Sequence, residues 1–84
     1  MLFHVTQEDI RNGVRANPWS CPIALCISRT LKAKFILVGW YMKIGNTRII
    51  TPSKARAFIR KFDKGLFVEP FDFEIDSLTF ADWH

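Results

Sequence analysis

The side chains best suited to metal binding are two cysteines, Cys21 and Cys26, and two histidines, His4 and His84. A structural zinc site uses four such ligands, usually in closely spaced pairs. Here the histidines stand near opposite ends of the chain. Five helical steps of about 100° would also place the two cysteines roughly 140° apart around a helix. The spacing therefore predicts neither a metal site nor a disulfide, and we expect no cofactor.

Cys21 is the residue best placed to act as a nucleophile. It precedes Pro22, and the start of a helix at this point would lower the pKa of the thiol and favour the reactive thiolate. A cysteine nucleophile also needs a base within reach, and His4 is the candidate in a predicted element. The alternative is a structural cysteine that caps the helix, and the sequence favours this alternative.

The carboxylates and glycines do not form a catalytic pattern. Asp72, Glu74 and Asp76 alternate with apolar residues and would share one face of a strand. Acid–base catalysis needs a second ionisable group opposite the first, and the sequence predicts none. The four glycines are isolated from one another, so no phosphate-binding loop is indicated. We therefore predict a binding protein, not an enzyme.

The composition predicts a single domain that spans residues 1–84. A chain of 84 residues has room for one core. Hydrophobic residues make up 49% of it, including eight Phe and three Trp, which suits a small aromatic core. The first residues lack the regions of a signal peptide, and the apolar runs are too short to span a bilayer. We expect a cytoplasmic protein without membrane association.

The first third of the chain predicts a short strand followed by two helices. The strand precedes Thr6, and Thr6 and Asp9 have the spacing of a capping box that starts a helix. Cys21 or Ser20 would cap the next helix. Three residues at four-residue spacing mark the buried face of that helix: Ile23, Ile27 and Leu31.

The middle of the chain predicts a β-hairpin and another helix. Residues 35–44 form an apolar run that indicates one long strand, and Gly45-Asn46 has the composition of a two-residue hairpin turn. Residues 47–51 would return antiparallel. A helix would begin near Ser53, because apolar residues follow at helical spacing: Ala55, Phe58, Ile59 and Phe62.

The end of the chain predicts a final strand at residues 71–76, followed by an amphipathic tail that contains Leu78, Phe80 and Trp83. These elements predict the α+β class. We expect a small antiparallel sheet of three to four strands with two helices packed on one face, in the order β-α-β-β-α-β. The ferredoxin-like arrangement has the same order.

Charge is sorted along the chain. Between Ile10 and Phe62 there are eleven Lys or Arg residues and no acid, whereas the chain from Gly65 onward has five acids and no Lys or Arg. The acidic strand face could neutralise part of the basic region within the fold. Alternatively, the basic region could bind an anionic partner. On the last helix, Arg56, Arg60 and Lys64 lie four residues apart, where like charges repel one another.

The hairpin predicts a contact surface. With Gly45-Asn46 as the turn, Tyr41 would face Ile50 and Lys43 would face Arg48. One side would belong to the core: Ile36, Val38, Trp40, Met42, Ile44 and Ile49. The other side would present an apolar patch bordered by cations, which usually marks a contact site: Phe35, Leu37, Tyr41, Lys43, Arg48 and Ile50. A protein partner, a second copy, the C-terminal tail or single-stranded nucleic acid could cover it.

Several segments resemble small, uncharacterised proteins encoded by bacteriophages and prophages, and the similarity spans most of the chain. They are VTQEDI at 5–10, GVR at 13–15, CPIAL at 21–25, FIRKFDKG at 58–65 and VEPFDF at 68–73. The resemblance implies no catalytic or cofactor-binding residues. It implies a context in which small proteins bind and redirect or block host machinery, including defence systems, in the cytoplasm of the host.

We therefore predict a non-enzymatic, phage-type accessory protein that binds and modulates or inhibits a host protein or complex. The alternative is a small nucleic-acid-binding protein that uses the basic-aromatic sheet face and the basic helix. A self-associating component, such as a homodimer, is a third option. Trp19 is a further candidate anchor in a loop, unless it packs over the edge of the core. The predicted partner-binding residues are Tyr41, Lys43, Arg48, Ile50, Arg56, Arg60, Lys64 and Trp19.

Overall fold

The computed structural model describes residues 1–32, 36–45 and 47–75. The described residues confirm the α+β class and contain three helices and five short strands. In chain order these are β1 (Leu2–Val5), α1 (Gln7–Asn12), α2 (Pro22–Leu31), β2 (Ile36–Val38), β3 (Tyr41–Ile44), β4 (Thr47–Ile50), α3 (Ser53–Asp63) and β5 (Phe71–Glu74). The amphipathic tail with Leu78, Phe80 and Trp83 lies outside the described residues, as do Phe35, Asn46 and Asp76.

The described strands form two antiparallel sheets, where the sequence predicted one. The first strand pairs with the last, so that Phe3 lies opposite Phe73. Strands β2, β3 and β4 form the second sheet, with β3 in the centre. The hairpin register is confirmed, since Tyr41 pairs with Ile50 and Lys43 pairs with Arg48.

The prediction of one long strand over residues 35–44 was wrong. The chain turns at Gly39 and Trp40, and β2 folds back against β3. Thr51 stabilises this turn, because its hydroxyl donates to the Gly39 carbonyl and its N–H donates to the Trp40 carbonyl, with N···O 3.0 Å. The turn divides the run into short strands that pair locally. It also exposes Trp40, which was predicted to face the core and is 71% exposed.

Local signals in the sequence explain where the helices begin. The capping box of α1 is confirmed: Thr6 Oγ1 accepts the Asp9 N–H at 3.1 Å, and Asp9 Oδ2 accepts the Thr6 N–H at 3.0 Å. Cys21, not Ser20, caps α2, where its Sγ accepts the Ala24 N–H at 3.4 Å. Each cap satisfies a backbone donor that has no partner within the helix.

The core brings both sheets and the two longer helices together. Phe3 from β1 stacks on Phe73 from β5 at a centroid distance of 5.2 Å. Ile27 of α2, Met42 of β3 and Phe58 of α3 join them in one buried cluster. Since the inner side of the β2–β4 sheet faces this cluster, the side chains on its other side point outward.

Candidate binding surface

Four of the predicted contact residues lie together on the outer side of the β2–β4 sheet. Exposure alternates along β3, so that Tyr41 and Lys43 are exposed and their neighbours are buried. Arg48 and Ile50 are exposed on β4 directly opposite them. We call these four residues the hairpin surface. Tyr41 is 57% exposed and Ile50 is 67% exposed, so substantial apolar area lies beside two cations.

A small cavity of about 180 Å³ lies beside the hairpin surface, and we call it the tryptophan notch. Its lining residues are Gly39, Trp40, Arg56 and Arg60. The guanidinium carbon of Arg56 lies 4.6 Å from the centre of the Trp40 ring, which is the geometry of a cation–π contact. Because Trp40 directly precedes Tyr41, the tryptophan notch continues the hairpin surface at one end of β3.

The fold explains why these residues meet. The turn between β2 and β3 holds Trp40 at its tip, and Thr51 joins that turn to the start of α3. Arg56 and Arg60 lie one helical turn apart on α3, so both reach the same side of the helix. The structure therefore brings Arg56 and Arg60 together with Trp40.

The remaining two predicted residues do not line the tryptophan notch. Lys64 is the exposed C-cap of α3, beyond the last helical residue. Trp19 is 65% exposed in the loop between α1 and α2, where its backbone N–H donates to Asn17 Oδ1 at 3.0 Å. Packing of Trp19 over the core edge was the alternative, and that degree of exposure argues against it.

Trp40 is the site residue that the sequence reasoning missed, because residues 35–44 were interpreted as an unbroken strand. Gly39 was the available signal, since glycine inside a strand pattern often marks a bulge or a bend. A break at Gly39 would have placed the next residue in a turn, where an exposed tryptophan is readily accommodated.

The cations of the hairpin surface and of the tryptophan notch form no ion pair with a described carboxylate. In residues 1–32, 36–45 and 47–75, the basic side chains that contact a carboxylate are His4, which forms a hydrogen bond with Asp72, and Arg29, which forms an ion pair with Asp9, both at 2.7 Å. Asp72 thus pairs with a histidine on the neighbouring strand. Among the described residues, the acidic strand face therefore forms no ion pair with a Lys or Arg of the basic region.

Both cysteines are free and buried. Burial raises the pKa of the Cys21 thiol, despite hydrogen bonds from the backbone of the helix start that lower it. This direction is opposite to the lowered pKa considered from its position in the sequence. Burial, with a smaller effect of the Asp9 charge, raises the pKa of Cys26 to about 11. Both thiols are therefore held in the less reactive, protonated form at neutral pH.

Metal-binding clusters and membrane-spanning helices are both absent from the part of the chain that the structure describes. No three His, Cys, Asp or Glu side chains within it cluster closely enough to hold a metal ion. Its helices are also too short, or too polar, for any of them to cross a bilayer.

Comparison with known proteins gives no relative: no protein-family model, curated protein or solved structure matches this chain.

Proposed function

We propose that this protein acts by binding, without catalysis, and that it modulates or inhibits a protein of the cell in which it is made. The hairpin surface carries this proposal. It places two exposed apolar side chains beside two cations that have no described acidic partner. The resemblance to phage-encoded proteins supports a host protein or complex as the target, including a defence system, and the host cytoplasm as the location.

The residue types of the hairpin surface favour a protein partner. Tyrosine, tryptophan and arginine are the residues most enriched at the energetic centres of protein interfaces. Ile50 adds aliphatic area that a partner's apolar side chains can cover. Lys43 and Arg48 would meet acidic residues of the partner, and such charges mainly increase the association rate and the specificity.

Affinity capture with the immobilised protein tests this proposal, using a lysate of the cell that carries its gene. We expect a specific protein to be retained by the wild type and lost with Tyr41→Ala or Ile50→Asp. Gln7→Ala is the matched control, because Gln7 is exposed on α1, away from the hairpin surface. Retention that is equal for all four proteins would contradict a role for the hairpin surface.

Kinetic measurement with the purified partner sharpens the test. Truncation of Tyr41 should mainly increase the dissociation rate, since an aromatic anchor contributes after docking. Truncation of Lys43 should mainly reduce the association rate and its dependence on salt. If Lys43→Ala weakened binding far more than Tyr41→Ala, electrostatic attraction would dominate, and the apolar centre of the proposed interface would be wrong.

A second candidate function, binding of single-stranded nucleic acid, is favoured by the tryptophan notch. An exposed tryptophan with two arginines can stack on a base and contact the adjacent phosphate. Fluorescence anisotropy with labelled single- and double-stranded oligonucleotides, at low and at physiological salt, distinguishes the candidates. Micromolar binding that survives physiological salt and is lost with Trp40→Ala would establish this function. Oligonucleotide binding at low salt alone would favour a protein as the partner of the hairpin surface.

A further inference from the structure

A groove separates α3 from the segment that leads to β5, on a different set of residues from the hairpin surface. Its volume is about 560 Å³. Five apolar side chains form most of its lining, and three charged side chains complete it: Ala57, Phe58, Phe67, Val68 and Phe71, with Lys54, Lys61 and Glu69. We call it the α3 groove.

The chain reversal after α3 creates the α3 groove. Gly65 has a φ of +76°, a value that glycine adopts without steric cost. Its N–H donates to the Phe62 carbonyl, and the Leu66 N–H donates to the Lys61 carbonyl, both at 3.0 Å. These bonds turn the chain back along the helix. Opposite the returning segment, Ala57 is too small to fill the space.

The floor of the α3 groove consists of aromatic rings that pack against each other. Phe58 is 7% exposed, and its ring stacks on Phe71 at a centroid distance of 4.8 Å. Phe67 contributes an open wall, since it is 82% exposed. An aromatic ring with this exposure gains almost nothing from folding, so it is available to cover an apolar ligand.

The charges of the α3 groove are divided between its two walls. Lys54 and Lys61 lie on α3, and Glu69 lies on the returning segment. The two lysines are separated by two helical turns, about 10 Å along the axis. Neither forms an ion pair with a described acid. The helical wall is therefore positive, and it favours a ligand that carries a negative charge.

We propose that the α3 groove binds a small amphipathic anion, namely a carboxylate with an aliphatic chain. The chain would cover the aromatic floor, and the carboxylate would lie against the helical wall at Lys54 or Lys61. A volume of this size is typical of small-molecule sites, which are mostly apolar with a few polar groups. This site is independent of the hairpin surface and adds a second binding activity to the one proposed above.

Titration of the full-length, isotope-labelled protein with decanoate tests the proposal by nuclear magnetic resonance. We expect amide shifts at Ala57, Phe58, Phe67 and Val68. Decanoate should bind about tenfold more tightly than octanoate, because each additional buried methylene strengthens binding by a factor of up to about four. Absence of saturable shifts at these amides would overturn the proposal.

Two kinds of variant make the test specific. Ala57→Trp should fill the groove and reduce decanoate affinity at least tenfold, whereas Gln7→Ala, which lies outside the groove, should leave it unchanged. Both variants should fold, because Ala57 and Gln7 are exposed. Lys54→Gln or Lys61→Gln should weaken decanoate several-fold without affecting decanol. Equal loss of both ligands would overturn the assignment of the lysines as the anion site.

Two other outcomes would overturn the proposal. Decanoate-induced shifts at amides 78–83 without shifts at the amides of the α3 groove would place decanoate at the C-terminal segment instead. Shifts at Phe67 that depend on protein concentration in the absence of decanoate would assign the groove to a second copy. Neither result bears on the hairpin surface, because the amides monitored lie outside it.

Discussion

Two regions of the molecule differ in whether their polar side chains have partners. One is the N-terminal unit, which comprises β1, α1 and α2, and the other is formed by β3, β4 and α3. In the N-terminal unit, polar groups find partners locally. Asp9 is buried, closes the capping box with Thr6 and accepts a hydrogen bond of 2.7 Å from Arg29. The Cys26 thiol donates to the carbonyl of His4 at 3.2 Å. The charges of Asp9 and Arg29 thus help to stabilise the fold of this unit.

The region around β3, β4 and α3 leaves its charge and its aromatic area exposed. Lys43 and Arg48 face each other without a described acid between them, although like charges directly opposite are unfavourable. Trp40 contacts Arg56 but remains 71% exposed. These residues therefore contribute little to folding and remain available for a ligand.

Together with the proposed function, the difference predicts that stability and binding depend on separate parts of the molecule. Buried or paired charged and aromatic residues of the N-terminal unit should matter for unfolding. The exposed charged and aromatic residues around β3, β4 and α3 should matter little for unfolding and more for the proposed binding. Matched substitutions in the two parts test this separation.

Truncation of a buried phenylalanine in the N-terminal unit and of an exposed phenylalanine in the segment after α3 should produce the largest contrast. Phe3 is fully buried against Phe73, so Phe3→Ala should lower the free energy of unfolding by about 4 kcal/mol. Phe67 is 82% exposed, so Phe67→Ala should change it by less than about 0.5 kcal/mol. Urea denaturation followed by far-UV circular dichroism measures both values.

A small domain can unfold altogether after a loss of about 4 kcal/mol. Phe3→Leu is therefore the milder variant, and it should cost about 1 kcal/mol. Similar losses for Phe67→Ala and Phe3→Leu would show that Phe67 is packed in solution, and the contrast between the buried and the exposed phenylalanine would fail.

Truncation of neighbouring carboxylates should give the next largest contrast. Asp9→Ala removes the acceptor of both the Thr6 N–H and the Arg29 guanidinium. We expect a loss of about 2 kcal/mol, because one of the two bonds of the capping box and a charge-assisted hydrogen bond disappear together. Glu8→Ala is the control on the same helix, since Glu8 is exposed. Chemical denaturation of both variants should show at most a small effect for the control, and equal losses would contradict the role of Asp9.

Features set by neighbouring residues could be predicted from the sequence. The capping box depends on Thr6 and Asp9 alone, and the start of α2 depends on Cys21 and the proline after it. The register of the hairpin follows from the length of its turn, so the pairing of Lys43 with Arg48 was predicted correctly. The sequence therefore predicted that the four residues of the hairpin surface share one face of the sheet.

Features set by distant residues could not be predicted. The turn at Gly39 is held by Thr51, which lies twelve positions later, and periodicity contains no information about that bond. Without this turn, Trp40 was assigned to the core and the strands were assigned to one sheet. Arg56 and Arg60 of the tryptophan notch were therefore predicted as contact residues, whereas Trp40, whose ring Arg56 contacts, was not.

Alkaline pH should lower the free energy of unfolding through ionisation of Cys26. Its pKa is raised from 9.0 to about 11 in the fold, so the unfolded thiol releases its proton at a lower pH than the folded one. The stabilising contribution is complete below pH 9 and is lost as the pH rises toward 11. We expect the urea midpoint to fall across this window, and to fall less steeply in Cys26→Ala. Parallel slopes for the two proteins would assign the decrease to other groups.

The contact between Arg56 and Trp40 should give the smallest effect on stability. A cation–π contact at an exposed site contributes about 0.5 kcal/mol. A double-mutant cycle of Arg56→Ala and Trp40→Ala isolates this coupling from the other effects of each substitution. The matched cycle with Arg60→Ala should give a coupling near zero, because Arg60 lines the tryptophan notch without a cation–π contact to the ring. A coupling of several kcal/mol would mean that Trp40 stabilises the fold. The tryptophan notch would then resemble the N-terminal unit, whose polar side chains have partners.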